Sequence, residues 1–196
     1  LDAIHADLLS NVQLFTGQEA QGDNPMQAAM RLGGTLERYD INVLVTQADN
    51  ATGAPVIEEL HPAAAGKNIT VDARLTGRRM VFEGDEGKLR HHVIRNLIDN
   101  AIKYAREGAV HVELMANDEM VRFTVKDNGI GITPEDMKNL FTEGGHGKDS
   151  IKTNVHSTGY GLFIAKQVVD AHGGTIHAES EGAGKGATFI VELPLH

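Results

Sequence analysis

The chain has 196 residues, the size of one large domain or of one domain with an appendage. Its 41% hydrophobic and 23% charged residues suit a globular protein with a core to bury, and a formal net charge of −9 argues against broad attraction to nucleic acid or anionic lipid. With no cysteine, disulfides, thiolate catalysis and cysteine-ligated zinc are excluded, and there is neither a run of 18 apolar residues nor a basic-then-apolar signal segment.

Residues 1–54 predict a helical hairpin. Apolar residues at 1, 4, 8, 9, 12 and 15 recur at helical spacing, and residues 17–25 read as a turn. Asn24-Pro25 starts a second helical stretch, expected to run to about residue 48. Residues 50–55 look like a linker, so the chain divides into 1–54 and 55–196. From Val56 the pattern mixes α and β. A helix is expected at 56–65, strands at 69–75 and 80–83, and a helix from Asp85 to about residue 105. Residues 110–115 and 120–127 alternate apolar and polar about Asn117-Asp118-Glu119, which signals a β-hairpin. Thr133-Pro134-Glu135-Asp136 carries the hydroxyl, proline and acids of a helix start. Residues 144–158 read as a polar, glycine-rich loop, 161–172 as a helix closed by Gly173-Gly174, and 175–180 and 187–193 as terminal strands.

Three constellations could carry chemistry. In residues 92–104 (HVIRNLIDNAIKY), a helix turning about 100° per residue puts Val93, Leu97 and Ala101 on one side. His92, Asn96, Asn100 and Lys103 then share the opposite stripe. Carboxamide oxygens suit Mg²⁺ and a lysine suits phosphate, although a solvated face of an amphipathic helix would look the same. Asp127-Asn128-Gly129-Ile130-Gly131 follows a strand. A carboxylate there can accept from an exocyclic amine and the glycines admit a ligand to the backbone, while a plain Asn-Gly turn is the bland alternative. Residues 144–161 (GGHGKDSIKTNVHSTGYG) lead with Lys148 and Lys152 into a helix start, an anion site if not simply a surface loop. Gly182, Gly184 and Gly186 read as a turn before the last strand. The Walker A pattern fails because Asp149 follows Lys148, and no G-x-S-x-G or H-E-x-x-H is present. His91 and His92 point apart on a helix, and His111, His172 and His177 read as surface or strand histidines.

Taken in this order, the segments resemble the GHKL ATPases and, within them, the sensor histidine kinases. Residues 92–104 match the N box, Asp127–Gly131 the G1 box, Leu140-Phe141 the F box, Gly159-Tyr160-Gly161-Leu162 the G2 box and Gly184–Phe189 the last glycine turn. The resemblance covers roughly residues 56–196. It implies an α+β, two-layer sandwich of a mixed, mainly antiparallel sheet with helices on one face, preceded by the helical hairpin. It implies ATP and Mg²⁺: Asn96 as metal ligand, Asn100 as its neighbour, Lys103 and Tyr104 on phosphate and nucleotide, and Asp127 on adenine, with Gly129 and Gly131 lining the pocket. Lys148, Gly159 and Gly161 would hold the phosphates, Thr158 and Leu162 would belong to the nucleotide site, and His92, four residues before Asn96, would assist proton transfer. The γ-phosphoryl group would pass to a histidine and then to a response regulator receiver domain. The protein would be a homodimer through the N-terminal helices, in the cytoplasm or in the cytoplasmic part of a membrane-bound sensor, with no membrane contact in this piece. A non-kinase GHKL ATPase and a catalytically silent scaffold are the alternatives. Two departures stand out. His5, followed by Ala6-Asp7-Leu8-Leu9, lacks the family's acceptor surroundings, and the stretch from Asp85 to Asn96 is about one residue longer than the resemblance implies.

Overall fold

Period-two alternation builds the sheet. In the strand Gly108–Ala116, Val110, Val112 and Leu114 are buried while His111, Glu113 and Met115 are exposed. The computed structural model describes residues 37–40, 56–75, 81–117, 119–144 and 160–195. Five strands form the main sheet: β2 (Ile69–Leu75), β4 (Gly108–Ala116), β5 (Met120–Lys126), β6 (Thr175–Glu179) and β7 (Thr188–Pro194). Their spatial order is β2-β4-β5-β7-β6; only β2 and β4 run parallel, and the other pairs are antiparallel. The expected β-hairpin is β4–β5, with Val112 opposite Val125, and Val125 opposite Phe189 on β7.

Helices cover one face of this sheet. The first is α1 (Val56–Ala65). The second, α2, runs through Glu86–Lys88, Leu89–Ile94 and Arg95–Tyr104 without a break. A short α3 (Pro134–Met137) follows, then α4 (Gly161–Ala171). Leu97, Ile98, Ala101 and Ile102 of α2 and Ala165, Val168 and Val169 of α4 share one core with the inward strand residues. Each large side chain so buried contributes about 1.5–3 kcal/mol. The outward face carries charge pairs instead, such as Arg122 with Glu192. This is the two-layer, mainly antiparallel α/β sandwich. No helix among the described residues is long and apolar enough to cross a membrane.

The N-terminal reading needs correction. Glu37–Asp40 is a strand, β1, where the second helix of the hairpin was expected to continue. It pairs antiparallel with β3 (Val81–Gly84), Glu37 opposite Gly84 and Asp40 opposite Val81. Four residues of mixed polarity carry almost no periodic signal, and the partner strand that fixes them lies some forty residues on. The rest of the predicted hairpin, with His5, lies outside the described residues.

Within α2 the middle segment, Leu89–Ile94, is a π-helix, and the amide of Arg95 donates to the carbonyl of Arg90, five residues back. A turn bonded i to i−5 holds one residue more than an α-turn. Leu89–Ile94 falls within the stretch, Asp85 to Asn96, where the resemblance implies one residue fewer, and a π-turn is the local geometry that would take such a residue up. Asp85 caps the helix by accepting from the Lys88 amide at 3.0 Å, as its place in the sequence predicts. From outside, α1 grips the same helix: Glu59 accepts from Arg90 at 3.2 Å and from Arg95. At the other end, Lys67 donates to the carbonyls of Ile102 and Lys103 at 3.1 and 2.5 Å, satisfying last-turn acceptors and complementing the helix dipole.

Candidate functional site

The polar stripe of α2 lies opposite its buried side. His92, Asn96, Asn100, Lys103 and Tyr104 are half-buried, while Val93, Leu97 and Ala101 are buried. Asn96 donates its amide to two carbonyls, His92 at 3.2 Å and Gly161 at 3.0 Å. Its Oδ1 and the whole Asn100 carboxamide have no hydrogen-bond partner among the described residues. Lys103 is held by Asp99 at 2.7 Å, one turn back on the helix. Burial, with help from His91 and Lys88, holds the His92 imidazole below its ordinary value, against a smaller pull from Asp85.

Asp127 sits just beyond β5, 6% exposed. Its Oδ1 accepts from the amides of Gly129 at 2.7 Å and Ala187 at 3.3 Å. Oδ2 has no partner among the described residues, so a buried acceptor is left over for a ligand donor. Burial pushes this carboxyl above the ordinary aspartate value, and the two amide hydrogen bonds oppose it.

Glycine is required around this carboxylate because backbones meet there. A Cβ on Gly129 would lie 2.0 Å from the Tyr104 carbonyl oxygen, at the end of α2. The Ile130 amide donates to that same oxygen at 3.1 Å. A Cβ on Gly161 would lie 2.7 Å from Asn96 Oδ1. The G1 segment and the start of α4 therefore both close on α2, at opposite ends of its polar stripe. Lys148, Thr158 and Gly159 lie outside the described residues. Gly161 opens α4, and Leu162 next to it packs against the core.

The 182–186 turn does more than reverse the chain. Gly184 and Gly186 donate to the carbonyls of Ile130 and Gly129 at 2.6 and 3.2 Å, and Asp127 donates to Ala187 at 2.9 Å. Gly186, at φ +71°, would place a Cβ 2.1 Å from the Asp127 carbonyl oxygen. Ser180, which sequence reasoning missed, ties both loops: its Oγ accepts from Ile132 and Gly182 at 3.0 and 3.2 Å and donates to Gly186 at 2.7 Å. Only its place at a strand end before alternating glycines hinted at this. His172 is a correction: it is buried rather than on the surface, with both ring nitrogens engaged.

The fold is that of the GHKL nucleotide-binding domains. This chain belongs to the histidine kinase-, DNA gyrase B- and HSP90-like ATPase family, whose model matches residues 84–196. Among curated proteins it is similar to the sensor protein SrrB of Staphylococcus aureus, 39% identical over 177 residues, covering 81% of this chain and 29% of that protein. It is also similar to the circadian input-output histidine kinase CikA of Synechococcus elongatus, 36% identical over 127 residues, covering 64% of this chain and 17% of CikA. The chain thus spans less than a third of these relatives. Among solved structures, full-length ShkA in complex with AMPPNP superposes with a TM-score of 0.67 at 28% identity, over 87% of this chain and 34% of that one. The nucleotide-free catalytic domain of histidine kinase ThkA superposes at 0.68 and 23% identity, over 83% and 99%, a likeness of fold.

Proposed function

We propose that this chain is the catalytic, ATP-binding part of a protein histidine kinase in a two-component system. Its reaction moves the γ-phosphoryl group of Mg-ATP to a histidine nitrogen, releasing ADP, and then to an aspartate of a response regulator receiver domain. The observation that carries this reading is the leftover Oδ2 of the buried Asp127, framed by glycines that bring three backbone segments together. Such an oxygen accepts from the 6-amino group of adenine. Asn96 and Asn100 offer uncommitted carboxamide oxygens that fit a magnesium ion, which supplies charge neutralisation on the phosphates when bound. Lys103 exchanges Asp99 for phosphate, and Tyr104 lines the nucleotide. By the family resemblance Lys148, Gly159 and Gly161 are assigned to the phosphates, and Thr158 and Leu162 to the nucleotide site. His92, kept neutral by burial, takes up the proton lost by the acceptor imidazole as its N–P bond forms.

The relatives support this class: SrrB is a sensor protein, and ShkA was captured with an ATP analogue. ThkA, similar in fold, was crystallised with the response regulator protein TrrA. The strand β1 pairs with β3, so we place the start of the catalytic unit before residue 37 rather than at 55. The preceding residues then hold the dimerising helical lead-in. The test is incubation with Mg²⁺ and γ-labelled ATP, then denaturation. Acid-labile, base-stable label on the chain is the signature of phosphohistidine. ATP binding without label reduces the activity of this chain to nucleotide binding, with the acceptor elsewhere. Absence of Mg-ATP binding, or binding unchanged in Asn96→Ala, would overturn the site assignment.

A further inference from the structure

His172 closes α4, and its ring bridges two helices. Nδ1 lies 2.7 Å from the Val168 carbonyl oxygen, and Nε2 lies 2.9 Å from the amide of Asp85. A carbonyl can only accept and an amide N–H can only donate, so the ring is neutral with its proton on Nδ1. Asp85 is itself the cap of α2: its carboxylate accepts from the Lys88 amide and pairs with the Lys88 ammonium, each at 3.0 Å. The imidazole therefore joins the residue that caps the end of α4 to the residue that caps the start of α2. These helices pack side by side, and at the opposite end of the pair Gly161 accepts from Asn96 at 3.0 Å. The two pins stand eleven residues apart on each helix: 85 to 96 on α2 and 161 to 172 on α4.

We propose that His172 is a positioning residue for the nucleotide site. By fixing the far ends of α2 and α4 to each other it sets their register, and so keeps the opening of α4 seated on Asn96. The Asn96 amide is thereby committed to Gly161, which leaves its Oδ1 as the uncommitted acceptor of that side chain. The glycine pair after the histidine serves the same end. Gly173 takes φ +70°, and a Cβ on Gly174 would lie 2.4 Å from the Glu192 carbonyl oxygen, so the chain turns sharply into β6 and holds the imidazole against the start of α2. Burial is the largest cause holding His172 below the ordinary imidazole value, in keeping with the neutral ring the geometry demands.

This inference rests on the proposed Mg-nucleotide site, and two substitutions test it. His172→Gln keeps an acceptor that can reach the Asp85 amide; His172→Asn keeps a donor to Val168 but is too short to reach Asp85. Affinity for Mg-AMPPNP is measured by calorimetry well below each variant's melting temperature. His172→Asn is expected to bind about tenfold more weakly, and His172→Gln within about threefold of the parent. The side-chain amide resonances of Asn96 in the ligand-free protein should shift in His172→Asn and stay put in His172→Gln. If both variants melt lower yet bind as the parent does, and the Asn96 resonances do not move, His172 is only a core residue and the proposal fails. If the parent itself does not bind the nucleotide, the proposed function falls. The Asn96 resonances then decide the register claim alone: shifted in His172→Asn it stands, unmoved it fails.

Discussion

Asp127 is the residue on which the site turns. Its Oδ1 is committed to two backbone amides, so in Asp127→Asn the amide nitrogen would occupy the Oδ2 position. A donor would then face the amino group of adenine. The expected outcome is loss of about 2 kcal/mol of nucleotide affinity, roughly thirtyfold, by calorimetry against Mg-AMPPNP. The same substitution removes a charge that burial disfavours, so the ligand-free protein should melt at a higher temperature. A variant that binds normally would make Asp127 a turn residue. The sequence displayed this aspartate after a strand, with its glycines, so its place was legible. Which oxygen was spent on the backbone was not, because the amide of Ala187 comes from sixty residues away. His172 was illegible for a related reason. An imidazole before two glycines looks like an ordinary exposed helix end, and only the return of the chain to Asp85 buries it.

At the scale of elements, α2 is held from outside by α1 and by the turn after it. Arg90 is 2% exposed and faces Glu59, whose side chain is 27% exposed; Arg95, on the same carboxylate, is 41% exposed. Glu59→Ala takes the carboxylate from a buried guanidinium and should cost about 2–3 kcal/mol, below the 3–5 of a fully buried pair because Glu59 reaches solvent. Arg95→Ala should cost less than about 1 kcal/mol, as exposed ion pairs do. Urea denaturation of the two variants checks the order, and equal losses would show that the pairing with Arg90 contributes no more than a surface bridge. The strands of the main sheet were readable from alternation, and α3 from its capping threonine, which accepts from the Asp136 amide at 3.1 Å. β1 escaped because ERYD is short and its pairing with β3 is a tertiary fact.

At the scale of the whole molecule, three of the described histidines oppose the fold in acid. His91, His92 and His172 all lie below the ordinary imidazole value, with burial the largest cause in each; Asp85 opposes the shift at His92 and His172, and Lys88 reinforces it. The unfolded chain therefore binds more protons than the fold once the pH drops under about 6.5. Their contribution to stability is complete above that value and is lost as the pH falls through the lower folded values. Asp127 has the opposite sign: its folded value is raised, so acid favours the fold at that one group, in a window opening at the unfolded aspartate value of about 3.9. The melting temperature should fall between pH 7.5 and pH 5.5, and a flat profile over that range would show that these imidazoles stay as protonated in the fold as in the unfolded chain.

The π-turn in α2 has a consequence for how such a chain can change. One residue added to a continuous α-helix swings everything downstream by about 100° and advances it by about 1.5 Å, which would turn Asn96 away from Gly161. A wider loop such as Leu89–Ile94 can gather one such residue, like slack in one link, and the Asn96–Gly161 contact beyond it is intact. In a helix with such a loop, an edit of length need not be an edit of chemistry.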